Sequence, residues 1–300
     1  MFCGLIAVVR NGKRNGVIRY ICMVCRKSVS GARRSTRIAE ALWGEFVMGK
    51  RTKKLLGADI QRSPRTVTKL LDTIEVPEKV HDPRPVVAVI DVTFFGREYG
   101  ALVARDPNDH ENLHVHELRH ETKLEYQLAR SDLEKKGYTL LAVVLDGRRG
   151  IPRVFDGILV QICHFHQWKI VRKYLTLRPK LGSHKALLAI AGTIAKSTES
   201  EMRTMLEKFA VDFKNDLEEK HVCSHCGKPV YTHRKLRSAY RSLTTNLPFL
   251  YTYQKYPELN IPNTTNSLDG LWSALKLHVN AHRGLRFDRR FKVIRTYLKL

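Results

Sequence analysis

The chain carries 53 lysines and arginines against 29 aspartates and glutamates in 300 residues, a formal net charge of +24. An apolar fraction of 43%, with 11 Phe, 11 Tyr and 3 Trp, excludes a disordered chain and leaves room for one large domain or two to three small ones. No stretch approaches the roughly 18–20 apolar residues of a membrane span. The opening MFCGLIAVVRNGKR has neither a leading basic segment nor a small-residue cleavage site, so no secretory signal and no membrane partner are expected.

Six cysteines are too sparse for a disulfide scaffold, and their two close pairs point to metal or thiol use in a reducing compartment. The basic residues fall in patches along the whole length, around 33–37, 50–54, 234–241 and 283–292. Dispersed patches fit a long nucleic-acid track better than a membrane surface, which asks for one basic helix or tail.

Residues 1–30 read as a zinc-ribbon-like module. Residues 5–9 and 17–21 predict two strands about a turn marked by Asn11-Gly12 and Asn15-Gly16. Cys22 and Cys25 form one knuckle and Cys3 stands alone for the other. Three thiols are therefore visible where tetrahedral zinc takes four ligands, and a metal-free ribbon is the alternative.

Residues 36–76 predict a helix-turn-helix. Ile38, Leu42, Trp43, Phe46 and Val47 have helical spacing, and a short helix is expected at 51–56. Ser63-Pro64 then reads as an N-cap with proline at the first helical position. Arg62, Arg65, Thr66 and Lys69 are its candidate DNA contacts; a small helical packing unit with solvated charges is the plainer reading.

Pro77, Pro83 and Pro85 mark a linker over 77–85. Strands are expected at 86–90, 99–104, 113–118, 139–145 and 158–162, with a helix over 121–136 closed by Gly137. This order predicts an α/β fold with a mixed sheet, built from 86–175 and 261–300 and interrupted by a helical insertion at 176–260. A helix at 268–279 follows the insertion. His110, His114, His116 and His120 cluster about the third strand, with no acid spacing that completes a metal site.

Two buried-type strands end in acids, VVAVID at Asp91 and LLAVVLD at Asp146. Carboxylates at the carboxyl ends of neighbouring strands can share hard divalent ions, Mg²⁺ or Mn²⁺, suited to phosphodiester chemistry. Asp269, near the start of the 268–279 helix, is the candidate third acid; Lys276 lies two turns on. Each aspartate taken alone reads equally as an acid that satisfies backbone donors.

The ordered set Asp91, Asp146, Cys163-His164-Phe165-His166 and Asn266-Ser267-Leu268-Asp269-Gly270 resembles the DDE transposases of bacterial insertion sequences, within them the Mutator-like group. The similarity runs from the ribbon to the end of the chain. LDGRRGI at 145–151, QICHFHQWKIVRKYLT at 161–176, YTHRKLRSAYRSL at 231–243, and NTTNSLDGLWSALK with HRGL over 263–285 carry it most clearly.

The resemblance implies a ribonuclease H-like catalytic domain that cuts phosphodiester bonds at element ends and joins them to target DNA. It implies that Asp91, Asp146 and Asp269 hold Mg²⁺ or Mn²⁺, and that Cys163 and His166 match the group's C-x-x-H signature. The group usually has glutamate where Asp269 stands, so the side chain here is one methylene shorter. Partners implied are duplex DNA, as terminal inverted repeats and as target, and a second copy of the chain or more. The expected location is the cytoplasm, on a prokaryotic nucleoid. Arg148, Arg149, Lys169, Arg172, Arg237, Lys276 and Arg283 are candidate phosphate contacts.

Cys223 and Cys226, with His221 and His233 beside them, are a second candidate zinc set; a reduced surface hairpin is the alternative. A transposase-derived DNA-binding protein without catalysis and a stand-alone nuclease of the same fold are the competing functions.

Overall fold

The computed structural model describes residues 8–15, 17–97, 99–282 and 284–300, with the side chains of 31–35 left aside. The chain divides into two compact units, one formed by Met1–Val80 with Trp272–Leu300 and one by His81–Leu271. Cys3, the lone candidate ligand of the first knuckle, and Arg283, a candidate phosphate contact, lie outside the described residues.

The first unit begins with a three-stranded antiparallel sheet: β1 (Val8–Arg14), β2 (Val17–Cys22) and β3 (Ser28–Ser30), in that order. Asn11-Gly12 is not the hairpin turn that its sequence predicts. The register slips between Arg10↔Tyr20 and Lys13↔Ile18, and Gly12 sits there at φ 68°. A glycine with positive φ is the backbone an inserted residue needs, so the dipeptide makes a bulge and β1 runs on. The turn falls at Asn15, at φ 51°.

Three helices follow, α1 (Gly31–Val47), α2 (Lys53–Asp59) and α3 (Pro64–Asp72). The second starts later than the spacing predicts because Thr52 caps it, its Oγ1 accepting from the Leu55 amide at 3.3 Å. Ser63 caps α3, accepting from the Thr66 amide at 3.2 Å, with Pro64 in the first turn.

Leu42, Trp43, Phe46, Val47, Leu56, Val67 and Leu71 form one buried cluster with Leu285 and Val293, the latter from the last helix (Phe287–Leu298). Polar ties lock these pieces together. His278 Nδ1 and His282 Nε2 donate to the carbonyls of Val47 and Phe46 at 2.8 and 2.6 Å, satisfying acceptors that the end of α1 leaves open. Arg289 grips Asp72 with two bonds of 2.7 and 2.6 Å, and that bond holds the Asp72 carboxyl below the usual carboxylate range.

The second unit is built on a five-stranded sheet. Its strands are β4 (Pro85–Phe94), β5 (Gly100–Asp106), β6 (Glu111–Leu118), β7 (Thr139–Leu145) and β8 (Leu159–Ile162), in the spatial order β6-β5-β4-β7-β8. The first three pair antiparallel; β7 and β8 join parallel to β4. Continuous apolar runs such as VVAVI and LLAVVL suit strands covered on both faces.

Between β6 and β7 lies α4 (Lys123–Lys135), whose Tyr126, Ala129 and Leu133 pack on Ala88, Ile90, Leu102, Val143 and Leu145. Gly137, at φ 84°, ends it with the Schellman-type bonds Gly137 N–Glu134 O and Tyr138 N–Leu133 O.

The remaining chain is mainly helical: α5 (His164–Leu175), α6 (Gly182–Gly192), α7 (Glu199–Asp212), α8 (Lys214–Glu218), α9 (Arg234–Leu250), α10 (Thr252–Lys255) and α11 (Asn266–Ala281), completed by α12 (Phe287–Leu298) of the first unit. Into this run is set a hairpin that its helical periodicity does not announce, β9 (Lys220–Val222) with β10 (Pro229–Tyr231). Ile162, Val171, Leu187, Met202, Leu206, Phe209, Leu236, Leu243 and Leu247 form the second unit's other core.

A hydrogen-bonded chain ties β6 to α4: Asp132–His114 at 2.6 Å, His114–His116 at 2.7 Å and His116–Glu125 at 2.9 Å. Burial pushes the His114 imidazole down to about 4, and His116 adds to this. Between about pH 6.5 and about pH 4 the unfolded chain therefore binds a proton that the folded chain refuses. Stability rises with pH through that window and is lost as pH falls through it. Urea unfolding is expected to show this acid loss in the wild type and a flatter dependence in His114→Gln. An equal slope in both would assign the loss to other groups.

Candidate functional site

Parallel register sets the two strand acids side by side. Val87 pairs with Ala142, Ala88 with Val143 and Val89 with Val144; the same register carried two residues on would bring Asp91 level with Asp146, the first residue past the end of β7. Side chains alternate along a strand, so Asp91 shares the face of Val89, while Asp146 begins the loop after β7. Asp91 is not at a strand end, as its sequence suggests. β4 continues to Phe94 because Asp91, Val92, Thr93 and Phe94 go on pairing with Val103, Leu102, Ala101 and Gly100 of β5. It is β7 that stops, at Leu145, and this opens the sheet beside Asp91.

Asp91 is buried and Asp146 half-buried. The loop after β7 is pressed inward: a Cβ on Gly147 would meet Asn246, Ile162 and Ile170 at 3.1–3.2 Å, so glycine there permits the close approach. The Arg148 amide donates to Asp146 Oδ1 at 2.5 Å and fixes that carboxylate.

Cys163 follows β8 and His166 lies in the first turn of α5, at the same edge of the sheet. A hydrogen bond with Cys163 raises the His166 imidazole to about 9; burial opposes this, and Cys163, Asp91 and Asp146 add to it through their charge. Burial pushes the Cys163 thiol up, but His166 overrides it and the thiol lies below its ordinary value. The two form a hydrogen-bonded thiol–imidazole pair, and both acids act on the imidazole through their charge.

Asp269 approaches from the first turn of α11. Thr265, four residues earlier, donates from Oγ1 to the Cys163 sulfur at 3.6 Å, and Asn263 O accepts from the His164 amide at 2.9 Å. These bonds tie the start of α11 to the end of β8.

Two residues absent from the sequence reading belong to this neighbourhood. Tyr126 is buried on α4 and donates to Glu121 Oε1 at 2.9 Å. Burial raises its hydroxyl, as do the charges of Glu121, Asp146 and Asp91, so three carboxylates act on one phenol. Glu121 in turn pairs with Arg148 at 2.6 Å. No motif carries Glu121; it precedes a helix and reads as a first-turn acid.

The oxygen donors suit a hard cation. Mg²⁺ is commonly held by one or two carboxylates and retains water elsewhere, which Asp91 and Asp146 fit. His166 Nδ1 and the Ser267 hydroxyl are buried without hydrogen-bond partners, orphaned atoms of the kind a bound group satisfies.

A three-acid cage is not assembled, however. Among the described residues no three His, Cys, Asp or Glu stand together as a metal-holding group. Asp269 lies in the first turn of α11, whose start is held by the Thr265 and Asn263 bonds. Among the described residues the His221, Cys223, Cys226, His233 set is not such a group either. His221 turns to Thr232 Oγ1 at 3.1 Å and His233 to Glu219 at 3.0 Å.

The basic candidates divide. Lys169 lies 4.1 Å over the ring of Phe165 and Arg172 lies 4.9 Å over Trp168, with the two rings stacked. Phe165 is 39% exposed, so α5 presents an aromatic–cation strip starting one residue before His166. Arg149 is exposed. Arg148 is partly spent on Glu121. Arg237 is turned inward, bonded to Leu217 O and 3.5 Å over Tyr231, in a cleft of about 270 Å³ with Lys214, Tyr240 and Arg241. In the first unit Arg62, Arg65 and Lys69 are exposed on or just before α3, while Thr66 is half-buried and bonded to Ser63; Lys276 is half-buried on α11.

No family model matches the chain, and no curated protein matches it. Among the described residues no helix is long and apolar enough to cross a membrane.

Proposed function

We propose that the chain is a DNA transposase of the DDE type, with a ribonuclease H-like catalytic domain formed around the five-stranded sheet. One observation carries this reading: Asp91 on β4 and Asp146 directly after the parallel neighbour β7 both act through their charge on one imidazole, His166. The sequence resemblance and the net charge of +24 support it. The three-stranded sheet with Cys22 and Cys25 is read as a zinc-ribbon-like module, and α1–α3 as a helix-turn-helix with Arg62, Arg65 and Lys69 toward DNA.

Asp91 and Asp146 would hold the divalent ion, Mg²⁺ or Mn²⁺, which when bound supplies charge neutralisation at a phosphodiester and an activated oxygen nucleophile. The chain's own groups do the rest. The Arg148 amide keeps Asp146 oriented. His166 places a fixed positive charge where a scissile phosphate would lie, and a poorly hydrated site makes such a charge count for more than in water. Lys169 and Arg172 contact the strand backbone beside it, and the Phe165 ring offers a stacking face.

Incubation of the protein with oligonucleotides ending in the element's inverted repeats, with Mg²⁺ or Mn²⁺ and a target plasmid, tests the reading. Joined products support it. Cutting without joining indicates a nuclease, and a mobility shift without product indicates a binder. The binder is the second reading, favoured by the exposed cations Arg62, Arg65 and Lys69 on or just before α3.

The His166 cation also fixes a pH dependence. It is present below about pH 9 and lost above. Cleavage is expected to fall on the alkaline side near pH 9. In Cys163→Ala, where the main cause of the raised value is gone, that limb is expected to move toward the ordinary histidine range near 6.5. A limb that stays in place in the variant would remove His166 from this role.

A further inference from the structure

The two C-x-x-C turns, far apart in sequence, have one backbone conformation. In the first, the Cys22 amide donates to Lys27 O at 3.0 Å and the Arg26 amide to Cys22 O at 2.9 Å. In the second, the Cys223 amide donates to Lys228 O at 2.9 Å and the Gly227 amide to Cys223 O at 2.8 Å. The residue after the second cysteine has positive φ in both, 56° at Arg26 and 66° at Gly227. The amides of His225 and Cys226 point to the Cys223 sulfur, and the Cys226 side chain bonds to it. A turn that aims amides at one sulfur and sets the next beside it is preformed for a thiophilic cation, because amide donors stabilise the thiolates that such an ion takes.

The second turn caps the β9–β10 hairpin. Its stem is pinned by Thr232 N to Glu219 O at 2.9 Å and by Lys220 and Arg237 over Tyr231. The tip is open: Cys226 is exposed and Cys223 half-buried. The flanking histidines are committed to Thr232 and Glu219, and among the described residues no third donor joins the two sulfurs. Zinc takes four ligands in a closed structural site.

We propose that Cys223 and Cys226 are half of a Zn²⁺ site whose other two thiolates come from the same turn of a second copy of the chain. Four thiols lose four protons as the ion binds, leaving a net charge of −2 on the ZnS₄ centre. Lys228, Lys220 and Arg234, brought by each copy on or beside the hairpin, offset that charge. The site thus needs neither the acidic cluster nor any DNA.

The test uses the full chain purified with zinc and without DNA, its metal content measured by mass spectrometry and its mass by light scattering. Cys223→Ser/Cys226→Ser is expected to hold half a zinc ion per chain less than the wild type and to lose the dimer. Zinc held by Cys22 and Cys25 cancels in this difference. Cys226→His, which keeps a donor, is expected to retain both metal and dimer. Chelation of the wild type is expected to give monomers that zinc re-pairs. Equal metal in wild type and double variant, a deficit of a whole ion per chain, or a mass that chelation leaves unchanged would each overturn the proposal. Should the double variant not fold, the chelation and re-pairing of the wild type decide it.

Discussion

Asp91→Asn is expected to lower strand cleavage by on the order of a thousandfold or more, equivalent to about 4 kcal/mol of barrier, while DNA affinity and its salt slope barely change. The asymmetry follows from position. Asp91 is buried within β4, whereas the exposed cations stand on α3 and α5. Added Mg²⁺ is expected to raise the wild-type melting temperature and leave that of Asp91→Asn nearly unmoved, since only a protein that binds the ion gains from it. Differential scanning fluorimetry with and without Mg²⁺ reads this without any DNA substrate. Equal metal shifts in both proteins would show that Asp91 holds no ion.

Local chemistry was legible in the sequence where one short segment decides the outcome. Ser63-Pro64 announces the start of α3, Gly137 the end of α4, and the runs VVAVI and LLAVVL the central strands that carry Asp91 and Asp146. Outcomes set by partners distant in the chain were not. Asn11-Gly12 has the composition of a hairpin turn, yet pairing with β2 makes it a bulge. The β9–β10 hairpin is two strands of three residues, too short for periodicity to reveal inside a helical run. Glu121 joins the acidic neighbourhood only through Tyr126 and Arg148, one of them across the β7 loop. His221 and His233 have ligand spacing in sequence, but the hairpin register delivers them to Thr232 and Glu219 instead.

Asp269→Glu is expected to raise cleavage by on the order of 10²-fold, the scale on which a 1 Å misplacement is felt. The start of α11 cannot drift toward the acids to compensate for a short side chain, because Thr265 is bonded to Cys163 and Asn263 to the His164 amide. An extra methylene carries the carboxylate further from the helix without moving it. Glu121→Gln separates this from the other carboxylate nearby. Glutamine still accepts from Tyr126 but weakens the pair with Arg148, whose amide orients Asp146. A positioning role predicts roughly a tenfold loss, as for partners of metal ligands. Metal affinity of Glu121→Gln would then fall modestly below that of the wild type, with cleavage still rising in the double variant with Asp269→Glu. If Asp269→Glu instead lowers cleavage and Glu121→Gln abolishes it, the third oxygen donor comes from the β6–α4 connection, and the resemblance has assigned the wrong acid.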